Sequence, residues 1–467
     1  GAVVSCTVLS PARHSSMARR LLQSVGRAAQ ASGYPRSGLT ASARAIASGR
    51  DALLFTPGPL TTSHTVKQAM LSDVGSRDGA LAGVVQEIRD YLLEAAHVSV
   101  EEGYECVLQQ GSGTFAVESV LSSVVPPPAA GGRMLVVANG AYGVRMAQMC
   151  KRHGIDHELM SHDHTDAPTV EGVMAKLESN RGRRYTHVGI IQHETSAGVL
   201  NPMEEIGRAI KAFDPEISYI VDAMSSFGAY HLDMKASNVH YAISSANKNL
   251  EGVPGFGFVL CNRERLRREG VHSRTVSLDL LDQWTSMEGH GEFRFPPQFR
   301  FTPPTHALLA FRQALREHAE EGGSPGRLAR YQANHDALTA SMAQLGFYPL
   351  LQKDKQGAII TTFLYPKDAR FDFMNMYNRL SDRGLIIYPG KLQDSQCFRI
   401  GTIGRLFPTD MARLVSDISD ILLSMGVKLP VEQMDAVPKP SATSAPNLPQ
   451  LEDACRCMPT HAADSSI

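Results

Sequence analysis

The 467-residue chain lacks the features that mark membrane-spanning, nucleic-acid-binding and disulfide-stabilised proteins. No apolar run approaches the roughly 20 residues that a helix needs to cross a bilayer. The formal net charge is -1, so no global basic field favours a nucleic-acid partner. The cysteines are scattered without metal-ligand spacing, and their one close pair, Cys455 and Cys457, lies in a polar tail. We therefore expect a soluble protein of a reducing compartment, with no metal site, no membrane partner and no nucleic-acid partner.

Acidic residues are absent from the first 50 positions, which hold seven arginines and many alanines and serines. Residues 17–27 can form a basic amphipathic helix, and this composition is typical of an organellar transit peptide. We predict that residues 1–50 are a basic leader that directs the chain to the mitochondrial matrix; without such an address the chain would be cytoplasmic. The alternative is a disordered basic extension. Because the chain begins at Gly1, Met17 is a candidate for the true start.

Short apolar runs alternate with longer amphipathic ones between residues 53 and 292. Strands that alternate with helices favour a parallel sheet covered by helices on both faces. The apolar runs predict buried strands at 134–138, 187–191, 219–222, 241–244 and 257–260. The amphipathic runs predict helices at 84–96, 115–124, 144–153 and 203–213.

The remaining residues predict a second, smaller domain and a tail. Antiparallel strands are predicted at 358–364 and 397–401, and helices at 305–320, 328–345 and 411–425. We therefore divide the chain into the leader, a large domain at 51–300, a small α+β domain at 301–430 and a tail at 431–467. The tail is rich in Pro, Ser and Ala and has no periodicity, which predicts disorder.

Two polar residues at the ends of neighbouring predicted strands carry the chemistry. Asp222 ends the run 219–222, and Lys248 follows the run 241–244 in a loop bounded by Gly252. An amine and a carboxylate placed in this way suit pyridoxal 5'-phosphate (PLP): the lysine forms the Schiff base, and the aspartate keeps the pyridine nitrogen protonated. A solvated loop lysine and an aspartate that caps the following turn are the alternatives. The pair makes PLP chemistry the leading hypothesis.

A glycine-rich turn at 110–114 precedes the helix predicted at 115–124. Glycine lets backbone amides approach an anion at a helix N-terminus, and the hydroxyls of Ser112 and Thr114 add donors. Such turns are common, so the motif alone is not specific. Beside the lysine–aspartate pair, it predicts a phosphate site.

Several motifs of the chain occur together in one known family. They lie at 54–62, 110–114, 139–143, 221–228, 244–248 and 398–401. The run 253–258, followed by residues 272–280, is more particular than the lysine–aspartate pair, which many enzymes share. On these residues the chain, over roughly positions 53–425, resembles the 2-aminoethylphosphonate–pyruvate transaminases, which are class V, fold-type I PLP-dependent aminotransferases.

The resemblance implies a fold, an assembly and a reaction. The fold would be α/β, with a large domain built on a mostly parallel, seven-stranded-type sheet and a small α+β C-terminal domain. The assembly would be a homodimer with active sites at the subunit interface. The reaction would transfer the amino group of 2-aminoethylphosphonate to pyruvate, giving phosphonoacetaldehyde and L-alanine in phosphonate catabolism.

The resemblance also implies the residues that hold the cofactor. Lys248 would carry it covalently and, once released, move the proton of the reacting carbon. Asp222 would pair with the pyridinium nitrogen. The cofactor phosphate would be held by Ser112, Gly113 and Thr114.

Four further residues are implied around the cofactor. Tyr142 would stack on the pyridine ring, although an aromatic residue there also suits simple packing. Thr195 would contact the phenolic oxygen, or merely cap a turn. Thr302 and Thr305 would reach the cofactor phosphate of a neighbouring subunit, in a Pro-rich segment that also suits a hinge.

Substrate binding is expected to depend on arginines. Arg399 has the planar fork that matches the carboxylate of pyruvate. For the phosphonate dianion of the donor, the candidates are Gly58 in the loop 56–59, Arg145 and Arg274, each arginine also suiting a surface ion pair. Arg77 is a further possibility, with a structural role at a subunit interface favoured.

Two other activities fit the same residues. A class V aminotransferase that uses alanine or serine with glyoxylate or pyruvate needs no phosphonate pocket. A PLP-dependent aminophosphonate lyase would release phosphate without a keto-acid acceptor. Cysteine desulfurase is disfavoured because no cysteine lies in a recognisable mobile catalytic loop, and a PLP-binding protein without catalysis is disfavoured because every group needed for turnover has a candidate.

Overall fold

The computed structural model describes residues 51–290, 297–390 and 396–435. The predicted leader, residues 1–50, and the predicted tail beyond residue 435 lie outside the described residues. The described chain through Met434 belongs to one compact unit.

The strands of the described residues are numbered in chain order. They are β1 (Leu53–Leu54), β2 (Tyr104–Gly111), β3 (Met134–Ala138), β4 (His157–Ser161), β5 (His187–Ile191), β6 (His193–Glu194), β7 (Val199–Leu200), β8 (Ser218–Asp222), β9 (Tyr241–Ser245), β10 (Gly255–Asn262), β11 (Ile360–Leu364), β12 (Leu385–Ile386), β13 (Tyr388–Pro389) and β14 (Cys397–Gly401).

The α-helices of the described residues are numbered in the same way. They are α1 (His64–Gln68), α2 (Gly79–Glu94), α3 (Gly113–Val124), α4 (Ala141–Arg152), α5 (Val170–Ser179), α6 (Met203–Phe213), α7 (Arg263–Glu269), α8 (Leu280–Met287), α9 (Thr305–Glu320), α10 (Gly323–Gln344), α11 (Phe373–Asp382) and α12 (Pro408–Ser424). None of them combines the length and the apolar character that a membrane-crossing helix requires.

The main sheet has seven strands in the order β2-β10-β9-β8-β5-β3-β4. Strands β4, β3, β5, β8 and β9 pair in parallel, whereas β10 pairs antiparallel with both β9 and β2. The predicted α/β class with a mostly parallel sheet is therefore confirmed. The sequence pattern did not single out β10 as the reversed strand. Its direction follows from the short loop 246–254, which contains no crossover helix and so cannot return the chain for a parallel pairing.

The sheet brings the predicted chemistry to one edge. β8 ends at Asp222 and β9 ends at Ser245, and these neighbouring strands are parallel, so their carboxyl ends meet. Helices α3 and α4 begin at the same edge because they follow β2 and β3, which run in the same direction: β2 and β9 are both antiparallel to β10. Ligands of open α/β sheets bind outside these carboxyl ends.

A second hydrophobic cluster forms around the three-stranded antiparallel sheet β11-β14-β13. Phe55 belongs to this cluster, and β1 pairs with β12, far away in the sequence. Residues 53–55 therefore pack with C-terminal elements, although the sequence-based boundaries assign them to the domain 51–300. A two-residue strand with a remote partner leaves no local signal.

The chain stays packed slightly beyond the predicted start of the tail at residue 431. Val431 donates its amide proton to Leu345 O at 2.8 Å, and the Met434 amide donates to Tyr365 O at 2.7 Å. These backbone hydrogen bonds hold residues 431–434 to the second cluster.

Candidate active site

A cavity of about 210 Å³ opens at the carboxyl edge of the main sheet. Seven of the residues predicted from the sequence line it: Ser112, Gly113, Thr114, Tyr142, Arg145, Asp222 and Lys248. The structure thus brings the predicted lysine, carboxylate and phosphate turn into one site.

Lys248 lies in the turn that follows β9. Its Nζ donates a hydrogen bond to Pro57 O at 2.7 Å. Gly58 follows with a φ of 120°, and a Cβ atom there would lie 2.8 Å from both Cδ and Nζ of Lys248. Glycine is required at this position because the backbone approaches the lysine side chain closely. Gly58 therefore contacts the lysine side chain. The sequence analysis had instead assigned it to substrate binding.

Asp222 is only 6% exposed at the end of β8. Its Oδ1 accepts a hydrogen bond from the Met224 amide at 2.9 Å. Burial raises the pKa of Asp222 to about 6, Glu194 adds to this effect, and the Met224 amide, Lys248 and Arg145 oppose it. A cation close to this carboxylate would favour its ionised form.

The first turn of α3 forms another wall of the cavity. Ser112 is the N-cap residue, and in the described structure its hydroxyl makes no capping hydrogen bond. The first amides of a helix have no intrahelical acceptor, so they are free to bind an anion. A Cβ atom on Gly113 would lie 2.1 Å from Met224 Sδ, so the absence of a side chain lets this turn pack closely against Met224.

Tyr142 and Arg145 face the cavity from the first two turns of α4. The Arg145 guanidinium carbon lies 5.1 Å from the centroid of the Tyr142 ring, within the range of a cation–π contact. Within the described residues Arg145 forms no ion pair. Its charge is therefore open to an anionic ligand.

Sequence reasoning missed Glu194, which fixes the start of α4. The side chain is 0% exposed. Its Oε2 accepts the Tyr142 amide proton at 3.2 Å, and its Oε1 accepts the Ser196 amide proton at 3.0 Å. The Ser196 hydroxyl in turn accepts the Ala141 amide proton at 3.0 Å. A charged residue at the end of an apolar strand was the available signal.

Thr195 and Arg399 lie next to each other and do not line the cavity, but Arg399 interacts electrostatically with the cavity residue Tyr142. Arg399 donates from Nη1 to Thr195 O at 2.8 Å and from Nε to Pro389 O at 3.1 Å. The side chain is 2% exposed, and burial lowers the pKa of its guanidinium, while Tyr142 opposes this shift. Arginine nonetheless stays charged in proteins, so the remaining N–H groups suit a carboxylate.

The structure does not bring Arg274 to the cavity. Its Nη1 donates to Ser122 O and Val125 O, both at 3.0 Å. These carbonyls lie at the C-terminal end of α3, and a helix of this length separates them from Ser112 by about 18 Å. The carbonyls at the end of a helix attract its guanidinium, so the substrate role expected for Arg274 stays a prediction that its position does not support. Arg77 also lies elsewhere, in a separate cavity of about 140 Å³ at the start of α2.

Thr302 and Thr305 lie outside the cavity of their own chain. Thr302 is exposed, and its carbonyl accepts a hydrogen bond from Gln110 Nε2 on β2. Thr305 begins α9 and is half-buried. The segment therefore runs along the surface beside the phosphate turn, where a second chain could meet it.

Ser245 is a further cavity residue that the sequence analysis did not name. Its hydroxyl is buried and has no hydrogen-bond partner within the described structure. Buried hydroxyl groups are normally satisfied, so an unsatisfied one that faces a cavity indicates a ligand. Its position three residues before Lys248 was the available signal.

These groups fit the chemistry of PLP. The anionic phosphate suits the start of α3 together with the hydroxyls of Ser112, Thr114 and Ser245. The pyridinium nitrogen suits the carboxylate of Asp222, and the aldehyde suits Lys248 Nζ. Among the described residues, no cluster of three or more potential ligands could hold a metal ion.

Comparisons with known proteins give the family of the chain. The family described as aminotransferase class-V matches residues 66–390. A 2-aminoethylphosphonate–pyruvate transaminase of Salmonella paratyphi C (strain RKS4594) is 46% identical over 79% of this chain and 97% of its own length. A protein of the same name from Phocaeicola vulgatus is 43% identical over 80% of this chain and 99% of its own length.

A solved structure gives the same result for the fold. The alanine–glyoxylate aminotransferase of Nostoc sp. is 25% identical, covers 80% of this chain and 95% of its own, and superposes with a TM-score of 0.70. The family match extends over most of the large sheet and the residues of the cavity. The chain therefore belongs to the class-V aminotransferases.

Proposed function

We propose that this aminotransferase uses PLP to move the amino group of 2-aminoethylphosphonate to pyruvate, giving phosphonoacetaldehyde and L-alanine. The observation that carries the proposal is one cavity that holds Lys248, Asp222 and the N-terminus of α3. The names of the relatives at 43–46% identity supply the substrates.

The cofactor would be held by residues at three sides of the cavity. Lys248 Nζ would bind it covalently, Asp222 would pair with its pyridinium nitrogen, and Tyr142 would lie against its ring. Ser112, Gly113 and Thr114 would bind its phosphate, with Ser245 as an additional donor. Thr195 is proposed to contact the phenolic oxygen. When bound there, PLP supplies an electron sink for the electrons left behind when a proton leaves the amino carbon.

Lys248 and Arg399 would perform the steps that belong to the protein. Once Lys248 Nζ is free, it takes the proton from the amino-bearing carbon of the donor and in the second half-reaction returns a proton to the carbon that becomes alanine. Arg399 binds the carboxylate of pyruvate and of alanine through its guanidinium. Because the donor product leaves before pyruvate binds, ping-pong kinetics are expected.

The phosphonate of the donor is proposed to bind Arg145, with the loop around Gly58 as a second wall of its pocket. Arg145→Met should raise KM for 2-aminoethylphosphonate roughly tenfold or more, because a charge-assisted contact is lost. KM for pyruvate should stay nearly unchanged. Arg274→Met is the matched control, since that arginine lies at the far end of α3. An equal loss with alanine as the donor would contradict the assignment.

The donor itself is tested by the visible spectrum of the purified PLP-loaded protein. 2-Aminoethylphosphonate should bleach the absorbance of the lysine-bound cofactor, and pyruvate should restore it. Alanine, as the product, should also bleach it by the reverse reaction; bleaching by alanine or serine with no response to 2-aminoethylphosphonate would identify the alanine/serine–glyoxylate activity instead. Phosphate release without any keto acid would identify the lyase. Lys248→Ala should abolish the lysine-bound absorbance in every case.

We also propose a homodimer in which Thr302 and Thr305 of each chain bind the cofactor phosphate of the other. The exposed segment beside the phosphate turn supports this arrangement. Mixing Lys248→Ala with the Thr302→Ala/Thr305→Ala double variant tests it, because a hybrid dimer would contain one intact site. Activity that does not rise above that of the separate variants would contradict the proposal.

For the leader we propose import into the mitochondrial matrix, on the composition of residues 1–50 alone. The bacterial sources of the relatives do not support a mitochondrial location. A fusion of residues 1–50 to a fluorescent protein tests it in eukaryotic cells. Diffuse cytosolic fluorescence would overturn the proposal.

A further inference from the structure

The loop that carries Lys248 is tightly folded. The Glu251 amide donates to Lys248 O at 2.7 Å, and the Gly252 amide donates to Ala246 O at 2.9 Å. Glu251 has a φ of 58°, in the left-handed region that residues with a side chain rarely adopt. Such a conformation persists only where surrounding contacts hold it.

Helix α10 supplies those contacts. The hydroxyl of Tyr331 donates to Glu251 Oε1 at 2.7 Å, and it lies 3.3 Å from Asn249 O. Arg330 donates from Nη2 to the same Glu251 oxygen at 2.7 Å. Two consecutive residues of one helix therefore bind the segment 249–251, which follows Lys248: they contact the carbonyl of Asn249 and the carboxylate of Glu251.

The same two residues also bind the loop that follows Arg399. The Gly404 amide donates to the Tyr331 hydroxyl at 3.4 Å. Arg330 donates from Nη1 to Gly404 O and to Leu406 O. The Tyr331 hydroxyl thus lies between the two loops, donating to one and accepting from the other.

Tyr331 and Arg330 form a bridge between the two loops, in which Tyr331 is buried and Arg330 is half-buried. Tyr331 is 0% exposed, and its ring packs with Leu60, Ile359 and Ile403. The positive charge of Arg330 is balanced by the carboxylates of Glu251 and Glu321. Hydrogen bonds to charged groups are strong where water is excluded, and an unmatched partner left behind is costly.

We propose that Tyr331, assisted by Arg330, is a positioning residue that sets the place of Lys248 relative to Arg399, an inference that rests on the proposed transamination. Lys248 must reach the reacting carbon while Arg399 holds the carboxylate of the same molecule. A fixed separation of their two loops therefore keeps the proton acceptor aligned with the bound keto acid.

Tyr331→Phe tests the bridge because it removes the hydroxyl and keeps the ring. Tyr241→Phe is the matched control: the Tyr241 hydroxyl is also buried and donates to a carboxylate, Glu269 Oε2, at 3.0 Å, at the opposite end of β9 from Lys248. Hydrogen–deuterium exchange of residues 246–252 and 402–406 is measured in the full-length chain without added cofactor. Steady-state kinetics and the pH titration of the lysine-bound absorbance are measured with PLP.

The bridge predicts that Tyr331→Phe raises exchange in both loops, shifts the pH titration and raises KM for pyruvate roughly tenfold, whereas Tyr241→Phe does none of these. A fall in melting temperature alone, equal in the two variants, would overturn the proposal. Faster exchange with unchanged kinetics and titration would overturn it as well. If the wild-type chain failed to transaminate, the proposed function would fall, and the exchange comparison would still decide whether the bridge joins the loops.

Discussion

The carboxylate of Asp222 is almost inaccessible to solvent. It is 6% exposed, and burial raises its pKa to about 6. A bound pyridinium would favour the ionised form and so offset the free energy that burial costs. Burial makes the ionised carboxylate unfavourable in the cofactor-free chain. The same burial would therefore strengthen the ion pair between Asp222 and bound PLP.

We predict that Asp222→Asn stabilises the cofactor-free chain at neutral pH. The folded chain holds the Asp222 proton more tightly than the unfolded chain, so the wild-type protein loses stability as pH rises from about 4 to about 6. An asparagine does not titrate and can still accept the Met224 amide proton. The variant should gain up to about 3 kcal/mol at pH 7.5 and almost nothing at pH 4. Urea unfolding at the two pH values measures the difference.

The exposed Asp354 provides the control for that measurement. Asp354→Asn should change the free energy of unfolding little at either pH. With PLP bound, the sign at position 222 should reverse, because the variant has lost the partner of the pyridinium. Equal stabilisation at pH 4 and pH 7.5 would contradict the electrostatic explanation.

A second residue-scale prediction concerns Gly58. Gly58→Ala places a Cβ atom 2.8 Å from Lys248 Nζ, whereas a Cβ atom on Gly103, at a similarly positive φ of 85°, meets no atom within 4 Å. Both variants should lose about 1 kcal/mol of stability from backbone strain. Only Gly58→Ala should also lower kcat/KM, by roughly two orders of magnitude, because it displaces the lysine. Equal kcat/KM in the two variants would contradict the close approach.

At the scale of elements, the two ends of helix α3 have different roles. Its N-terminus lines the cavity, and its C-terminal carbonyls accept hydrogen bonds from Arg274. The two ends of a helix carry opposite partial charges, so an anion and a cation each find a favourable end. The geometry explains why Arg274, a candidate of the sequence analysis for the phosphonate, contacts the end of the helix.

We predict that Arg274→Met lowers stability, whereas Arg399→Met weakens the binding of pyruvate. Arg274→Met should lower the free energy of unfolding by about 1–3 kcal/mol, since two carbonyls lose their donor, and should leave KM for pyruvate unchanged. Arg399→Met should raise KM for pyruvate roughly a hundredfold, because its guanidinium binds the carboxylate. Denaturant titrations and initial rates distinguish the pair. A large rise in KM for Arg274→Met would return that residue to the substrate site.

At the scale of the whole molecule, two buried histidines, His193 and His318, and the half-buried His240 make the fold sensitive to acid. Burial lowers the pKa of His193 to about 4, of His240 to about 3 and of His318 to about 4. Each is held neutral in the folded chain and takes up a proton more readily when the chain unfolds. Stability is therefore lost as pH falls from 6.5 towards 4.

We predict that the cofactor-free chain loses several kcal/mol of stability between pH 7 and pH 4.5. Protonation of Asp222 raises stability as pH falls over part of this range. The contribution of this single group is smaller than the combined loss from the three histidines. His318→Gln should make the loss less steep, because glutamine can donate to Gly228 O as His318 Nε2 does and does not titrate. Urea midpoints across the range measure the slope. An unchanged slope in the variant would contradict the assignment.

Much of the fold could be predicted because its signals are local. The strands at 134–138 and 187–191 and the helices at 203–213 and 305–320 have the bounds that periodicity predicted. The reversed direction of β10 and the pairing of β1 with β12 could not be predicted in this way, since both depend on partners that periodicity does not identify. In the site, Glu194 and Ser245 escaped notice because strand ends contain many polar residues.

The sequence by itself determined the chemistry at the carboxyl edge: a lysine, a carboxylate and a glycine-rich turn, each at the end of a buried strand or the start of a helix. These follow from residue type and spacing, which do not depend on remote contacts. Only the tertiary structure decided which arginines face the cavity. A long, flexible charged side chain takes its role from its nearest partner, and for Arg145, Arg274 and Arg399 those partners come from elements that folding brings together.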